Sequence, residues 1–194
     1  MPRIIAGELG GRPIPGSPGK GTRPTTDRVR EALFSRLDGW DALDGAHVVD
    51  LYAGTGALAF EALSRGAASA LLVEAHGASA QQLRRSAAAL GLAGRAEVRA
   101  ARAESVVERL PRSGETGDSD GGRGIDLAFI DPPYEVSTQD VESLLVALLP
   151  ALRGDAVVVI ERSARTRPVI WPSGYVDDGT KSYGETVLQY GGPA

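Results

Sequence analysis

Residues 125–134 read Ile-Asp-Leu-Ala-Phe-Ile-Asp-Pro-Pro-Tyr, a short apolar run followed by a carboxylate, two prolines and an aromatic ring. An apolar run of this length is typical of a buried central strand in a parallel sheet. Ligands of such sheets bind at the carboxyl ends of the strands, and two prolines end the strand and stiffen its exit. The stretch therefore predicts a strand over 125–130 and a rigid turn, Asp131 to Tyr134, at the ligand-binding edge of an α/β sheet.

The side chains of this turn suit a flat ring that carries an amino group. The Asp131 carboxylate and the Pro132 carbonyl can accept hydrogen bonds from such a group, and the Tyr134 ring can stack on its face. The alternative interpretation is a turn that only ends a strand and leaves a tyrosine exposed. The remainder of the sequence favours the first interpretation.

Strand and helix patterns alternate through the rest of the chain. Apolar runs predict strands at 47–51, 70–74, 125–130 and 156–160, and residues 96–100 are a candidate for a further strand. An alternating strand at 183–190 is predicted to pair with a shorter one near 169–171. Helical spacing predicts helices at 56–65, 79–90, 104–110 and 138–149. Regular alternation of this kind predicts a doubly wound, mostly parallel α/β sheet.

Two further segments complete the predicted organisation. Residues 1–40 are predicted to form a small N-terminal extension of hairpin, loop and helix, with Thr26 or Asp27 capping the helix. Residues 41–194 are predicted to form the main domain. Within it, residues 111–124 have almost no apolar side chains, which predicts a flexible surface loop.

The composition excludes several classes of protein. With 194 residues, 42% of them hydrophobic, the chain can bury a sizeable core. It has no cysteine and only two histidines, far apart in sequence, so we expect neither disulfides nor a metal site. No apolar run approaches the roughly 18 residues that span a bilayer, and the N-terminus lacks a signal-peptide pattern. These features predict a cytoplasmic protein without metal or membrane contact, and a monomer is the default expectation.

Charge is distributed unevenly along the chain, whose net charge is −4. Residues 1–37 carry seven basic side chains against three acidic ones, whereas residues 38–194 carry fourteen against twenty-two. A basic N-terminal segment on an acidic body is expected of a surface that binds nucleic-acid phosphates. A solvated surface of mixed charge is the alternative.

The first predicted strand runs into Asp50-Leu-Tyr-Ala-Gly54-Thr-Gly56, which opens the next helix. The glycines let a ligand approach the backbone, and Glu74, 20 residues after Gly54, can bind a ribose diol. These features alone also fit a dinucleotide site. Asp50 would repel a pyrophosphate and attract an amino group, which favours S-adenosylmethionine over NAD. A loop that only joins strand to helix is the third interpretation.

The same residues, in the same order, resemble the Rossmann-like S-adenosylmethionine-dependent amino methyltransferases. The N-terminal segment narrows the resemblance to RsmD-type enzymes, the bacterial 16S ribosomal RNA guanine-N2 methyltransferases. The segments that carry it are Arg3-Ile-Ile-Ala-Gly7, Gly10-Gly-Arg-Pro-Ile14 and Arg23-Pro-Thr-Thr-Asp-Arg-Val-Arg-Glu-Ala-Leu-Phe34, continued by Leu63-Ser-Arg-Gly-Ala67 and Lys181-Ser-Tyr-Gly-Glu-Thr-Val-Leu188. The match covers nearly the whole chain.

The resemblance implies a seven-stranded methyltransferase sheet and methyl transfer from S-adenosylmethionine to N2 of a guanine in 16S rRNA, within the small ribosomal subunit. The implied catalytic residues are Asp131, Pro132 and Tyr134. The implied cofactor-binding residues are Asp50, Ala53, Gly54, Gly56, Glu74, Ala103 and Glu104. The candidate RNA contacts are Arg23, Thr25, Arg28, Arg30 and Pro133. For the arginines, ion pairs with Asp27 and Glu31 are the alternative.

Some features depart from the pattern or leave other functions open. Ser35 and Ser86 stand where the family usually has asparagine, and the loop 111–124 looks longer than usual. These departures bear on RNA contacts more than on the reaction. The open alternatives are an amino methyltransferase acting on DNA adenine or protein glutamine, a nicotinamide dehydrogenase, and a catalytically inactive RNA-binding ribosome-assembly factor.

Overall fold

Seven strands and five α-helices make up the fold in a computed structural model that describes residues 2–16, 27–114 and 124–194. The strands are β1 (His47–Leu51), β2 (Ser69–Glu74), β3 (Ala96–Ala100), β4 (Ile125–Ile130), β5 (Leu152–Ser163), β6 (Tyr175–Tyr183) and β7 (Thr186–Pro193). The helices are α1 (Asp27–Gly39), α2 (Ala57–Ser64), α3 (Gly77–Leu90), α4 (Ala103–Val107) and α5 (Thr138–Leu148), with a 3₁₀ turn at Leu149–Ala151.

The strands form one sheet in the order β3-β2-β1-β4-β5-β7-β6. The first five are parallel to one another, while β7 runs antiparallel to both β5 and β6. From β1 the chain builds outward to β2 and β3 on one side, and then returns to place β4 on the other. The strand order therefore reverses between β1 and β4, and ligands of open α/β sheets bind at the carboxyl ends of the strands beside such a reversal. The predicted doubly wound, mostly parallel sheet is confirmed.

Alternate residues of the central strands pack on opposite faces of the sheet. In β4, Leu127 and Phe129 join the cluster formed with α1, α2 and α3, whereas Ala128 and Ile130 join the cluster formed with α4 and α5. Both faces are buried because the strands are apolar throughout rather than alternating. The 125–130 run is thus a central strand, and it carries the chain to the middle of the ligand-binding edge.

The N-terminal segment packs into the main core instead of standing apart from it. Ile4 and Ile14 are fully buried in the cluster of α1, α2 and α3, and Arg3 and Pro13 form an antiparallel bridge. Ser86 in α3 donates to the carbonyl of Pro15 at 2.5 Å. The hairpin and helix predicted at residues 1–40 are therefore anchored on α2 and α3.

Gly56 fixes the angle at which α2 leaves the glycine loop. Its φ is +75°, and an added Cβ would lie 2.5 Å from the ring of Phe60 and 2.8 Å from the side chain of Leu83. Any side chain here would be strained in conformation and would collide with the core. A glycine is required at this position by packing, independently of any ligand.

Two strand predictions are wrong in detail. Residues 169–171 form no strand, because the side chain of Gln189 occupies the backbone groups of Val169: its Oε1 accepts from the amide at 2.8 Å and its Nε2 donates to the carbonyl at 2.9 Å. The partner of β7 is instead β6, a mostly exposed strand whose sequence lacks an apolar alternation. In addition, β5 extends well beyond 156–160, since it pairs with β7 as far as Ser163.

The other differences lie at element ends. The helix predicted at 104–110 ends at Val107. Most of the predicted loop 111–124 lies outside the described residues. Among the described residues, no helix is long and apolar enough to cross a membrane.

Candidate functional site

Acidic side chains converge at the carboxyl ends of four neighbouring strands. Asp50 lies in β1 and Glu74 ends β2, while Asp131 and Glu161 follow Ile130 of β4 and Ile160 of β5, which are register partners. The strand order brings these four ends side by side at the topological switch point. The two predicted motifs, the glycine loop and the Asp-Pro-Pro-Tyr turn, thus meet at one edge of the sheet.

Asp50 is almost completely buried, with 2% of its surface exposed. Burial, assisted by the charge of Glu74, raises the pKa of this carboxyl to about 7. The amide of Ala59, which donates to Oδ2 at 3.2 Å, opposes the rise. One carboxylate oxygen therefore holds the first turn of α2. A cationic ligand near Asp50 would favour its ionised form.

Glu74 holds the glycine loop in its turn. Its Oε2 accepts from the amide of Gly54 at 3.1 Å and its Oε1 accepts from the amide of His76 at 2.8 Å. The loop is further fixed by the Ala53 amide, which donates to the carbonyl of Val73 at 2.9 Å. The backbone donor of Gly54 is thus already directed at a carboxylate.

Tyr52 is a residue of this loop that the sequence did not single out. It has a positive φ of 66°, and its hydroxyl donates to Oε1 of Glu104 at 3.0 Å. Burial raises the pKa of Tyr52, and the hydrogen bond to Glu104 adds to the effect. The contact joins the glycine loop to α4, which begins at the buried Ala103, so the two predicted cofactor segments lie together. A tyrosine directly before Ala-Gly in a ligand-binding turn was the available signal.

Glu104 is held between two partners at this junction. Besides the Tyr52 hydroxyl, its Oε2 accepts from Nε of Arg102 at 3.4 Å. Burial opposes ionisation, but these hydrogen bonds and one to its own backbone amide lower its pKa overall. The carboxylate is therefore charged at neutral pH and oriented beside the loop.

Asp131 stands at the end of β4, where its amide contacts the carbonyl of Leu51 at 3.5 Å. Its pKa is raised well above the usual range by burial, then by the charges of Glu161 and Asp50, while the charge of Arg162 opposes the rise. A carboxylate with a raised pKa at a ligand-binding edge is suited to accept a proton near neutral pH.

The turn becomes more exposed from Pro132 to Tyr134. Pro132 is buried, whereas Pro133 is exposed and Tyr134 is 72% exposed, the most exposed large apolar side chain among those described. The turn closes where the Val136 amide donates to the carbonyl of Pro133 at 3.0 Å, and Ser137 then caps α5 in a capping box with Asp140. The Tyr134 ring is thus free to contact a ligand that approaches from solvent.

Arg162 is a second residue of the site that sequence reasoning missed. It is 8% exposed, and its Nη2 donates to the carbonyl of Val136 at 3.0 Å. Burial lowers the pKa of its guanidinium, while the charges of Asp131 and Tyr52 oppose that change. A charged residue two positions beyond Ile160, at the ligand-binding end of a predicted strand, was the signal.

The candidate RNA-binding residues other than Pro133, which is exposed in the turn, fall into three groups. Arg28 is exposed on α1, as expected of a phosphate contact. Arg30 is 1% exposed, and its Nη2 donates to Oδ1 of Asp27 at 2.7 Å and to the carbonyl of Arg3 at 2.9 Å. Because its guanidinium is buried and paired, we correct the prediction for Arg30 and treat it as a structural residue. Arg23 and Thr25 lie outside the described residues.

Two other features lie apart from this edge. A cavity of about 440 Å³ opens at the amino ends of β1 to β4, on the opposite edge of the sheet, and His47 and Ser69 are among its lining residues. Over residues 2–16, 27–114 and 124–194, no cluster of three or more potential metal ligands occurs.

Comparison with known proteins identifies relatives along almost the entire chain. The model of the family described as Conserved hypothetical protein 95 matches residues 2–191. Ribosomal RNA small subunit methyltransferase D of Escherichia coli is 42% identical over 134 residues, which is 68% of this chain and 60% of the length of that relative. Its counterpart in Haemophilus influenzae is 30% identical over 174 residues, 89% of this chain and 84% of the relative.

Solved structures share the fold at full length. The Escherichia coli protein yhhF superposes with a TM-score of 0.80 at 31% identity, covering 98% of this chain and 97% of that one. A Thermus thermophilus protein, 24% identical, superposes with a TM-score of 0.78 and covers 98% of both chains. The architecture described above is therefore one that relatives adopt from end to end.

Proposed function

We propose that this chain, which belongs to the Conserved hypothetical protein 95 family of RsmD-type methyltransferases, transfers a methyl group from S-adenosylmethionine to N2 of a guanine in 16S rRNA of the small ribosomal subunit. The observation that carries the proposal is the convergence of Asp50, Glu74 and Asp131 at the carboxyl ends of β1, β2 and β4. The family resemblance and the names of the relatives support the substrate class.

The charge of the site favours S-adenosylmethionine over a dinucleotide. A dinucleotide site offers free backbone amides and a helix N-terminus to a pyrophosphate. Here the Gly54 amide donates to Glu74 and the Ala59 amide, in the first turn of α2, donates to Asp50. Carboxylates in these places repel phosphates and attract the ammonium and sulfonium charges of S-adenosylmethionine. The residues present therefore fit this cofactor.

Each predicted cofactor residue has a defined place in the proposed complex. Asp50 faces the amino group of the methionine portion, and Glu74 binds the ribose diol. Ala53, Gly54 and Gly56 form the backbone surface of the turn, and Gly54 has open space beside it, since its nearest neighbour to an added Cβ lies 3.9 Å away. Ala103 and Glu104, at the start of α4, border the adenine.

Methyl transfer to an exocyclic amine requires alignment more than activation. When bound, the cofactor supplies a methyl group on sulfonium, so a C–S bond breaks as the C–N bond forms and the amine loses one proton. Asp131 and the Pro132 carbonyl accept hydrogen bonds from the amino group, which orients its lone pair and stabilises the positive charge that develops. Asp131 is placed to take the proton, with water as the alternative acceptor. Tyr134 stacks on the base.

The target guanine has to leave its stack to reach Asp131, because that carboxylate is only partly exposed at the edge of the sheet, whereas Tyr134 is exposed. Pro133, exposed between them, contacts the backbone of the entering nucleotide. Arg28 on α1 is the described candidate for a phosphate contact, and Arg23 and Thr25 remain predictions from the sequence.

The proposal is tested by offering the protein a panel of substrates with S-adenosylmethionine labelled in its methyl group. The panel holds small subunits that lack the modification, naked 16S rRNA, unmethylated DNA and a glutamine-containing protein substrate. We expect label in RNA of the small subunit only, and none when Asp131→Ala replaces the wild-type protein. Label in DNA or protein would contradict the proposal that the substrate is 16S rRNA. Cofactor binding without label in any substrate would favour the inactive assembly factor.

A further inference from the structure

Arg162 carries a buried charge without a direct ion pair. It is 8% exposed, and within the described ranges its only side-chain hydrogen bond runs from Nη2 to the carbonyl of Val136 at 3.0 Å. Its Nε has no hydrogen-bond partner there, and no carboxylate of the described residues forms an ion pair with the guanidinium. A buried charge is costly when it is not paired, so a purely structural role does not explain why an arginine stands here.

The single side-chain hydrogen bond of Arg162 reaches the segment just after the Asp131–Tyr134 turn, which bears the proposed catalytic residues. Val136 lies two residues beyond Tyr134: its amide donates to the carbonyl of Pro133, and the next residue, Ser137, caps α5. Arg162 thus ties β5 to the turn between its exposed tyrosine and the helix that follows. The guanidinium limits how far the turn can move away from the sheet.

The charge of Arg162 also acts on Asp131. The charged groups that face Asp131 come from two neighbouring strands, with Asp50 on β1 and Glu161 and Arg162 on β5. Glu74 on β2 acts one step further away, through Asp50. Among these groups, Arg162 is the cation that opposes the two carboxylates.

We propose that Arg162 is a positioning residue, whose guanidinium holds the end of the Asp131–Tyr134 turn through the Val136 carbonyl and places a positive charge near Asp131 among neighbouring carboxylates. The inference rests on the proposed function, since it assumes that ionised Asp131 accepts hydrogen bonds and a proton from the substrate amine. It adds a residue that the motif does not contain. Because the effect is electrostatic, it depends on the charge at position 162 more than on its shape.

The sign of the effect follows from this arrangement. Without the cation, burial and the carboxylates act on Asp131 unopposed, so its pKa rises further. At a given acidic pH a larger fraction of Asp131 is then protonated and unable to accept the proton of the amine. The acid limb of the pH–rate profile therefore moves to higher pH, whereas the activity at high pH changes less.

The experiment compares Arg162→Met and Arg162→Gln, which remove the charge, with Arg162→Lys, which keeps it. Arg165→Met is the matched control, because Arg165 is exposed and pairs with Glu185. The titration of the Asp131 carboxyl carbon is followed by NMR in the protein without substrate, with Asp131→Ala identifying the signal. We expect the Met and Gln variants to titrate at higher pH than the wild type, and the Lys and Arg165 variants to titrate close to it. An unchanged titration in both neutral variants would overturn the inference.

Methyl transfer to the small subunit supplies the second readout. In the neutral variants we expect kcat at the acidic end of the profile to fall about tenfold relative to the wild type, because more of Asp131 is protonated there, with the cofactor Kd unchanged. Arg162→Lys should restore most of this loss. If the titration of Asp131 shifted but the pH–rate profile did not, the proposed role of Arg162 in the reaction would be wrong. If the wild-type protein itself methylates no guanine, the proposed function fails, while the NMR titration still decides the effect of Arg162 on Asp131. If the Met variant does not fold, the comparison is made with the Gln variant, which is uncharged but polar.

Discussion

Replacing Asp50 by asparagine removes a charge that the fold buries at the end of β1. Burial raises the pKa of this carboxyl from 3.8 to about 7, against the opposing hydrogen bond from Ala59, and Glu74 adds to the rise. One pKa unit corresponds to about 1.4 kcal/mol, so this rise means that ionised Asp50 destabilises the fold by about 4 kcal/mol. That is a large fraction of the 5–15 kcal/mol that typically stabilises a domain.

The pH window follows from the two pKa values. Between pH 4 and pH 7 the unfolded chain has lost the Asp50 proton while the folded protein keeps it, so stability decreases by about 1.4 kcal/mol per pH unit. Above pH 7 the group is ionised in both states and its contribution stays constant. Asparagine does not titrate, and its side-chain oxygen can still accept from the Ala59 amide. The stability advantage of Asp50→Asn should therefore grow from acidic pH and level off above pH 7.

The assay is urea unfolding of the wild type, Asp50→Asn and the control Asp44→Asn between pH 4.5 and 8.5. Asp44 is exposed, so its replacement should leave the curve parallel to that of the wild type. We expect the difference between Asp50→Asn and the wild type to widen by about 3 kcal/mol over this range, and the variant to bind S-adenosylmethionine more weakly. Parallel curves for Asp50→Asn and the wild type would refute the assignment of a strained, buried carboxylate.

The remaining predictions concern the reaction, the loop and the RNA surface. Asp131→Ala should lower kcat for methyl transfer by at least about 100-fold, while calorimetry shows a cofactor Kd within a few-fold of the wild type. Gly56→Ala should lower the free energy of unfolding by about 2–4 kcal/mol, because its φ is +75° and its Cβ would meet Phe60 and Leu83. Arg28→Ala should weaken binding to small subunits and reduce the slope of log Kd against log salt by about one.

Each of these has a matched control and a contradicting result. Gly54→Ala shares a positive φ, +54°, but no atom lies within 3.9 Å of its Cβ, so it should destabilise the fold less than Gly56→Ala. Equal losses would remove the packing argument. Arg153 lies at the amino end of β5, so Arg153→Ala should leave the slope of log Kd against log salt unchanged. If Arg28→Ala also left this slope unchanged, α1 would be excluded from the RNA interface. Retained turnover in Asp131→Ala would reject its catalytic role.

The parallel part of the sheet was predictable because most of its strands are short apolar runs separated by helical patterns and glycines. The edge was not, since β6 has few apolar side chains and is recognisable only through its pairing with β7. The stretch at 169–171 misled for the opposite reason: Val169 is apolar and buried, but a glutamine side chain replaces the strand that would have paired with it. Side-chain mimicry of backbone pairing leaves no periodic signal.

Some residues of the candidate site were predictable from the sequence and others were not. Asp50, Glu74 and Asp131 were predictable because strand ends and glycine turns mark the ligand-binding edge in the sequence. Arg30 was predicted to contact RNA and the burial of Arg162 was not predicted, because nothing in a single sequence distinguishes a buried arginine from an exposed one. Burial depends on tertiary packing, which placed Arg30 beside Asp27 and Glu61 and placed Arg162 behind the Asp131 turn.

The proposed methyl transfer to guanine N2 is tested most directly by identifying the methylated nucleoside. Small subunits that lack the modification are incubated with the protein and labelled S-adenosylmethionine, and the RNA is digested and analysed by mass spectrometry. We expect the label to be recovered as N2-methylguanosine at a single position. Label recovered in any other nucleoside, or spread over many guanines, would contradict the assignment of Asp131 and the Pro132 carbonyl to the amino group of one flipped guanine.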